Sequence, residues 1–259
     1  MADSGLSRVV FAGRDDAAMQ RAFASARETF RHFWRELSWE KRRIVPGLDF
    51  AYVKAAFADG GEVEHMWLSD IEFDGQYVSG ALLNAPRHVD ARKGDPARVL
   101  PSLISDWMFG SDGQVYGGYT VQAMRARMGA GERRDHDHAW GLNFGDPSTV
   151  RVFLRPNRGG LLRGLFGKSG DDPDEHPMSK GMAARLRQEI ARDPTMVTAT
   201  DERGWTILHI DALAGNADMV KVLLDLGADR TAVTGNGMTA AQLASALGWT
   251  KVVALLERA

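Results

Sequence analysis

The sequence contains no cysteine, which excludes disulfide staples, thiolate metal sites and cysteine nucleophiles together and agrees with a reducing compartment. It also lacks an excess of either charge. Thirty-two Lys and Arg stand against 34 Asp and Glu, a formal balance of −2, so there is no global pull toward nucleic acid or anionic membrane. Basic residues do bunch at Arg31, Arg35, Lys41, Arg42 and Arg43. No uninterrupted apolar stretch approaches the roughly 20 residues of a membrane-spanning helix. The first thirty residues carry Arg8, Arg14, Asp15 and Asp16 where a secretory signal has a continuous apolar core. The expectation is a cytoplasmic protein without a membrane partner and with little affinity for nucleic acid. With 44% hydrophobic and 25% charged residues over 259 positions, the chain is long enough for two globular units.

The strongest positive signal is self-similarity at a spacing of 33. Asp201-Glu202-Arg203-Gly204-Trp205-Thr206-Ile207-Leu208-His209 leads to Ala212, Gly215-Asn216, the apolar run Met219 to Leu226, and Gly227-Ala228-Asp229. A second copy follows with Gly237, Thr239-Ala240-Ala241-Gln242, Ala244, Gly248-Trp249 and Val252 to Leu256. This pattern resembles the ankyrin repeat almost position by position, and two copies in register are a specific signature of a helical solenoid. Upstream, Ser179 to Ala191 reads as a helix. Asp193-Pro194 stands 33 residues before Leu226-Gly227, which makes this segment a partial N-terminal cap.

The ankyrin resemblance implies a structural role for Thr206 and His209, whose hydroxyl and imidazole hydrogen-bond the backbone of adjoining turns. The second copy departs by placing Gln242 at the histidine position. Ankyrin recognition uses turn tips and the first helix of each pair. The resemblance therefore implies candidate partner-binding residues Glu202, Arg203, Trp205 and Leu213 in the first copy, and Asn236, Met238 and Leu247 in the second. The competing reading is that Trp205 and Leu213 pack against the N-terminal domain. The expected partner is another protein, and some bacterial ankyrin proteins serve as immunity partners of toxins.

The remainder of the chain has a different period. Asp15 to Leu37 reads as an amphipathic helix through Met19, Ala22, Phe23, Ala26, Phe30, Phe33, Trp34 and Leu37. Phe50 to Phe57 is either strand or short helix. Glu64 to Ile71 and Tyr77 to Leu83 alternate around Asp74-Gly75, the signature of a β-hairpin. Arg98 to Trp107 reads as a third extended segment, and Tyr119 to Met128 as a helix with Thr120 as N-cap. The fold class expected is α+β: an N-terminal small antiparallel-sheet domain with flanking helices over residues 1–158, a linker over 159–177, and a short all-α ankyrin solenoid over 178–259.

Within the first part, Glu64-His65-Met66-Trp67, Asn84-Ala85-Pro86, Lys93-Gly94-Asp95, Ile104-Ser105-Asp106-Trp107-Met108 and Gly117-Gly118-Tyr119-Thr120 resemble the bacterial DUF2314 (YegJ-like) domain family over about residues 30 to 130. The resemblance carries no established activity. His65, Asp106 and Tyr119 supply acid–base chemistry on paper and form an alternative small-ligand or enzyme site. On an alternating strand His65 and Trp67 share one face and Glu64 the other, so Glu64 and His65 do not cooperate directly. Asp135-His136-Asp137-His138 has metal-ligand types, but no regular zinc motif surrounds it, and it reads as a polar loop before Trp140. Gly164 to Ser169 lacks the first glycine of a phosphate-binding loop, since Leu162 stands there. No cofactor, metal or catalytic residue is assigned.

Overall fold

The computed structural model describes residues 16–59, 62–152 and 175–258. The chain divides into two compact units, residues 1–154 and 155–259. Both the 159–177 linker, apart from its last three residues, and the Gly164 to Ser169 segment lie outside the described residues.

The first unit begins with helix α1, Ala17–Glu40, whose N-cap Asp16 accepts hydrogen bonds from the amides of Ala18 and Met19. That side chain satisfies donors which a helix start otherwise leaves unpaired. Six strands follow: β1 Phe50–Asp59, β2 Glu62–Phe73, β3 Val78–Leu82, β4 Pro96–Val99, β5 Ile104–Ser111 and β6 Gln114–Gly117. They form one antiparallel sheet in the order β4-β3-β2-β1-β5-β6. The β2–β3 turn is the expected one. Asp74 accepts from the amides of Gln76 and Tyr77, and Gly75 takes a positive φ of 89°.

Two sequence expectations need correction here. Arg98 to Trp107 is not one strand. Leu100 and Pro101 break it, a 3-10 turn spans Pro101–Leu103, and the chain re-enters the sheet at the other end as β5. A proline lacks the amide that a continuous ladder requires. Likewise, Asp135 to His138 is not a loop but lies within helix α3, Ala130–Trp140, which follows helix α2, Tyr119–Arg125.

Cross-strand pairing sorts the side chains into two faces. Val53 has Leu68 and Trp107 as its two cross-strand neighbours, and α1 packs on this side through Phe33 against Trp107, with ring centroids 5.7 Å apart. The Trp107 indole donates to the carbonyl of Ala26 at 3.0 Å. Phe30 and Trp34 extend the contact to Phe73. The alternate row is Trp67, Lys54 and Asp106. A second apolar cluster gathers Trp67, Met108, Val115, Val121 and Phe144.

The second unit contains α4, Ser179–Arg192, then α5, Ile207–Leu213, paired with α6, Ala217–Asp225, and α7, Ala240–Ala246, paired with α8, Thr250–Leu256. The helices stack in register on a core that includes Leu186, Leu208, Val220, Leu223, Ala244 and Trp249. Trp249 joins the repeats. Its indole donates to the carbonyl of Leu213 at 3.0 Å, and a β-carbon on Gly215, where φ is 74°, would lie 2.3 Å from its ring. Glycine is required at 215 on both grounds.

Candidate functional sites

The ankyrin tips are built by short-range hydrogen bonds. The Asp201 carboxylate accepts from the amides of Arg203 and Trp205, both at 2.9 Å, which closes the first tip. Antiparallel bridges between Thr200 and Thr206 and between Val233 and Thr239 pinch the base of each tip. The Gly235 amide donates to the carbonyl of Arg203 at 2.9 Å, so the two tips are tied to one another.

Behind each tip sits a capping box. In the first copy the amide of Thr206 donates to His209 Nδ1 at 3.0 Å, and the Thr206 hydroxyl lies 2.8 Å from the same atom. Nδ1 is therefore an acceptor, which leaves Nε2–H to donate to the carbonyl of Ala232 at 2.9 Å. Burial holds this imidazole below its ordinary range, opposed by the Ala232 bond and by Asp201. In the second copy the amide of Thr239 donates to Gln242 Oε1 at 2.8 Å, and the Thr239 hydroxyl accepts from the Gln242 amide at 3.3 Å. Both histidine and glutamine thus have the structural role that the resemblance implies.

Of the partner-binding candidates, Glu202, Arg203 and Asn236 are exposed, while Met238 and Leu247 are half-buried. Trp205 and Leu213 are 5% and 1% exposed, so neither presents a free side chain. The Arg203 guanidinium instead covers the Trp205 ring at 5.0 Å and reaches Asp201 at 3.0 Å.

In the first unit, the family motifs meet around the Trp67–Lys54–Asp106 row. Asn84 accepts from the amide of Trp67 at 3.2 Å. Glu64 is buried and accepts from the amides of Arg87 and His88 at 2.9 and 3.1 Å. Asp106 is wholly buried, and its oxygens accept from the amides of Trp107, Tyr119 and Thr120 and from the Thr120 hydroxyl at 2.8, 2.9, 2.8 and 2.5 Å. Asp106 therefore caps α2 from across the fold. Thr120, expected as the N-cap, lies inside the helix, and Gly118 occupies the cap position. Burial pushes the Asp106 carboxyl up, opposed by Thr120 and Lys54.

Of the alternative site, Asp106 and Tyr119 meet through the Tyr119 amide, and both are buried. Tyr119 accepts from the Thr29 hydroxyl at 2.7 Å, and burial pushes its phenol up to about 12. His65 stacks on Phe23 with centroids 4.9 Å apart. Burial, with the Lys54 charge second, lowers its imidazole to about 4. Lys54 is the residue that sequence reading missed. One lysine in an alternating strand gives no local sign of where its amine lies.

The Asp-His run also has structural partners. Arg125 is buried and grips both oxygens of Asp137, at 2.8 and 2.5 Å, while His136 lies 3.0 Å from Asp137 and packs near Trp140 and Phe144. Among the described residues no group of three or more His, Asp or Glu side chains is placed to hold a metal ion.

Comparison with known proteins agrees with this division. A family model described as an uncharacterized protein conserved in bacteria (DUF2314) matches residues 16–144, and a model of three ankyrin repeats matches residues 181–258. A putative ankyrin repeat protein of Neisseria meningitidis serogroup B is 40% identical over 258 residues, 98% of each chain. The chain belongs to the DUF2314 family and carries C-terminal ankyrin repeats. The uncharacterized protein YegJ of Escherichia coli is 30% identical over 117 residues, 45% of this chain and 72% of YegJ. The NAD-capped RNA hydrolase NUDT12 of Homo sapiens is 32% identical over 81 residues, 31% of this chain but 18% of that protein. The ankyrin unit thus belongs to a class that mediates protein–protein interaction. No helix among the described residues is long and apolar enough to cross a membrane.

Proposed function

We propose that the chain acts by gripping another protein with the tied turn tips of its ankyrin unit, through Glu202, Arg203 and Asn236 with Met238 and Leu247 beside them. The observation that carries this reading is the bond from the Gly235 amide to the Arg203 carbonyl, which fixes the spacing between tips. A surface held in one geometry before contact loses less conformational entropy on binding. Trp205 supports that geometry from beneath Arg203. A regulatory or toxin-immunity role in the bacterial cytoplasm extends the proposal. It is supported by the absence of cysteine and by the resemblance to bacterial ankyrin proteins.

The test places a photo-crosslinking amino acid at Asn236 or Met238 of the full chain, with Lys221 and Glu257 as exposed controls. The expected result is one dominant protein adduct from the tip positions that is missing from the controls. Equal labelling from all four positions would remove the tips as the contact surface.

A further inference from the structure

The Trp67–Lys54–Asp106 row contains an amine whose neighbour of opposite charge takes its hydrogen bonds from other donors. Lys54 is half-buried, and its Nζ lies 5.5 Å from the centroid of the Trp67 ring. Among the described residues this amine has neither a hydrogen bond nor an ion pair. Lysines withdrawn from water are ordinarily paired. Asp106 is the cross-strand neighbour of opposite sign, yet its oxygens already take the four donors of Trp107, Tyr119 and Thr120. Glu64, on the same strand as Trp67, takes the amides of Arg87 and His88.

The second orphan is His65, two residues before Trp67 on β2 and so on the same side of an alternating strand. Its Nδ1 is shut off from solvent and has no hydrogen-bond partner among the described residues. Phe23 stacks on one side of the ring. Lys54 pairs with Trp67 and Ala56 with His65, so the sheet holds a cationic donor and an imidazole nitrogen as diagonal cross-strand neighbours, beside the Trp67 and Phe23 rings. Such surroundings strengthen any charge-assisted hydrogen bond made there.

We infer that Lys54 and His65 form a binding site for a small oxyanion, a phosphate or carboxylate group, on the DUF2314 sheet. The anion accepts from the Lys54 ammonium and from a protonated His65 Nδ1, which supplies both missing partners at once. In its absence burial lowers the Lys54 amine, opposed by Asp106, and Lys54 in turn disfavours charge on His65. A bound anion reverses both effects. This site is independent of the ankyrin tips, and its failure would leave the protein-binding proposal intact.

The experiment follows the His65 ring resonances of the full-length, isotopically labelled chain by NMR during titration with inorganic phosphate, with acetate, and with chloride at matched ionic strength. A saturable shift with phosphate assigns a phosphate-bearing ligand, and one with acetate assigns a carboxylate. Lys54→Met weakens the saturating anion about tenfold or more, because a charge-assisted bond is lost, while Lys54→Arg retains most of the affinity. Amide resonances of the ankyrin unit report whether each variant is folded, and His65→Asn weakens binding as a second route should Lys54→Met not fold. The inference is overturned if phosphate and acetate produce no saturable shift beyond that of chloride, or if folded Lys54→Met binds as the parent does.

Discussion

Helix α2 of the DUF2314 unit and the first helices of the ankyrin pairs begin in opposite ways. In the ankyrin unit α5 and α7 are capped by side chains three residues apart in sequence, Thr206 with His209 and Thr239 with Gln242. In the DUF2314 unit α2 is capped by Asp106, 13 and 14 residues before the amides it binds, at the end of a different element. A local cap forms with its helix. A distant carboxylate serves only after β5 and α2 have met, and its burial without those donors would leave an unmatched charge. Damage in the repeats should therefore stay local, whereas damage at Asp106 should loosen the sheet–helix junction as a whole.

The largest effect is expected from Asp106→Ala, which strands three buried amides and a hydroxyl. A loss of about 3 kcal/mol follows if only part of the cost is relieved by entering water. Urea denaturation of the full chain measures it, and hydrogen exchange at the amides of Tyr119 and Thr120 localises it. Unchanged exchange at those two amides would show that Asp106 is not their cap. Next in size is Gly117→Ala. Gly117 has φ of 72°, and a β-carbon there would lie 2.2 Å from the carbonyl oxygen of Trp107. Left-handed strain and the clash with backbone together cost about 2 kcal/mol, read in the same denaturation curves.

This contrast also explains what could be read from residues alone. The repeats were legible because each relation is short in sequence: a threonine three residues before a histidine, and a glycine at the end of a helix. The β2–β3 hairpin was legible for the same reason, through Asp74-Gly75 and strict alternation. Asp106 was visible as part of a family motif, but its partners Tyr119 and Thr120 were not, since nothing local tells a carboxylate on a strand which helix will arrive beside it. Propensity favours Thr120 as the capping side chain, and tertiary context gives that role to Asp106. Arg98 to Trp107 is not one strand because a proline-bounded turn splits the run between β4, at one edge of the sheet, and β5, on the far side of β1. Lys54 had no signal at all; its importance rests on Trp67 and Asp106, which flank it only once the register is set.

Acid sensitivity sharpens the comparison. His65 is lowered to about 4 from an ordinary value of 6.5, and His209 is lowered as well. A depressed histidine is neutral in the folded state, so the unfolded chain binds more protons in the window between the two values. Stability is fully present above about pH 6.5 and falls as the pH drops through the folded value, in both units. His209→Gln converts the first capping box into the second. The expected outcome is a flatter pH dependence of ankyrin-unit unfolding between pH 7 and pH 5, with that of the sheet unit unchanged. Persistence of the original slope in the ankyrin unit would assign its acid sensitivity to other groups.

The smallest effect separates two residues at the same repeat position. Gln242 bonds only its own cap: its Oε1 takes the Thr239 amide, and its amide N–H donates to the Thr239 hydroxyl. His209 makes the equivalent bonds and in addition reaches forward 23 residues to the carbonyl of Ala232, beside the next tip. Gln242→Ala should therefore cost about 0.5–1 kcal/mol, the value of an exposed cap, whereas His209→Ala should cost about twice that because a partly buried carbonyl also loses its donor. Hydrogen exchange distinguishes them further. Gln242→Ala accelerates amides at the start of α7 alone, while His209→Ala accelerates those of α5 and also loosens the Val233–Thr239 bridge that shapes the second tip. Equal costs with equal exchange patterns would mean that the forward bond contributes nothing, and that the tips are aligned by the Gly235–Arg203 bond without help from the histidine.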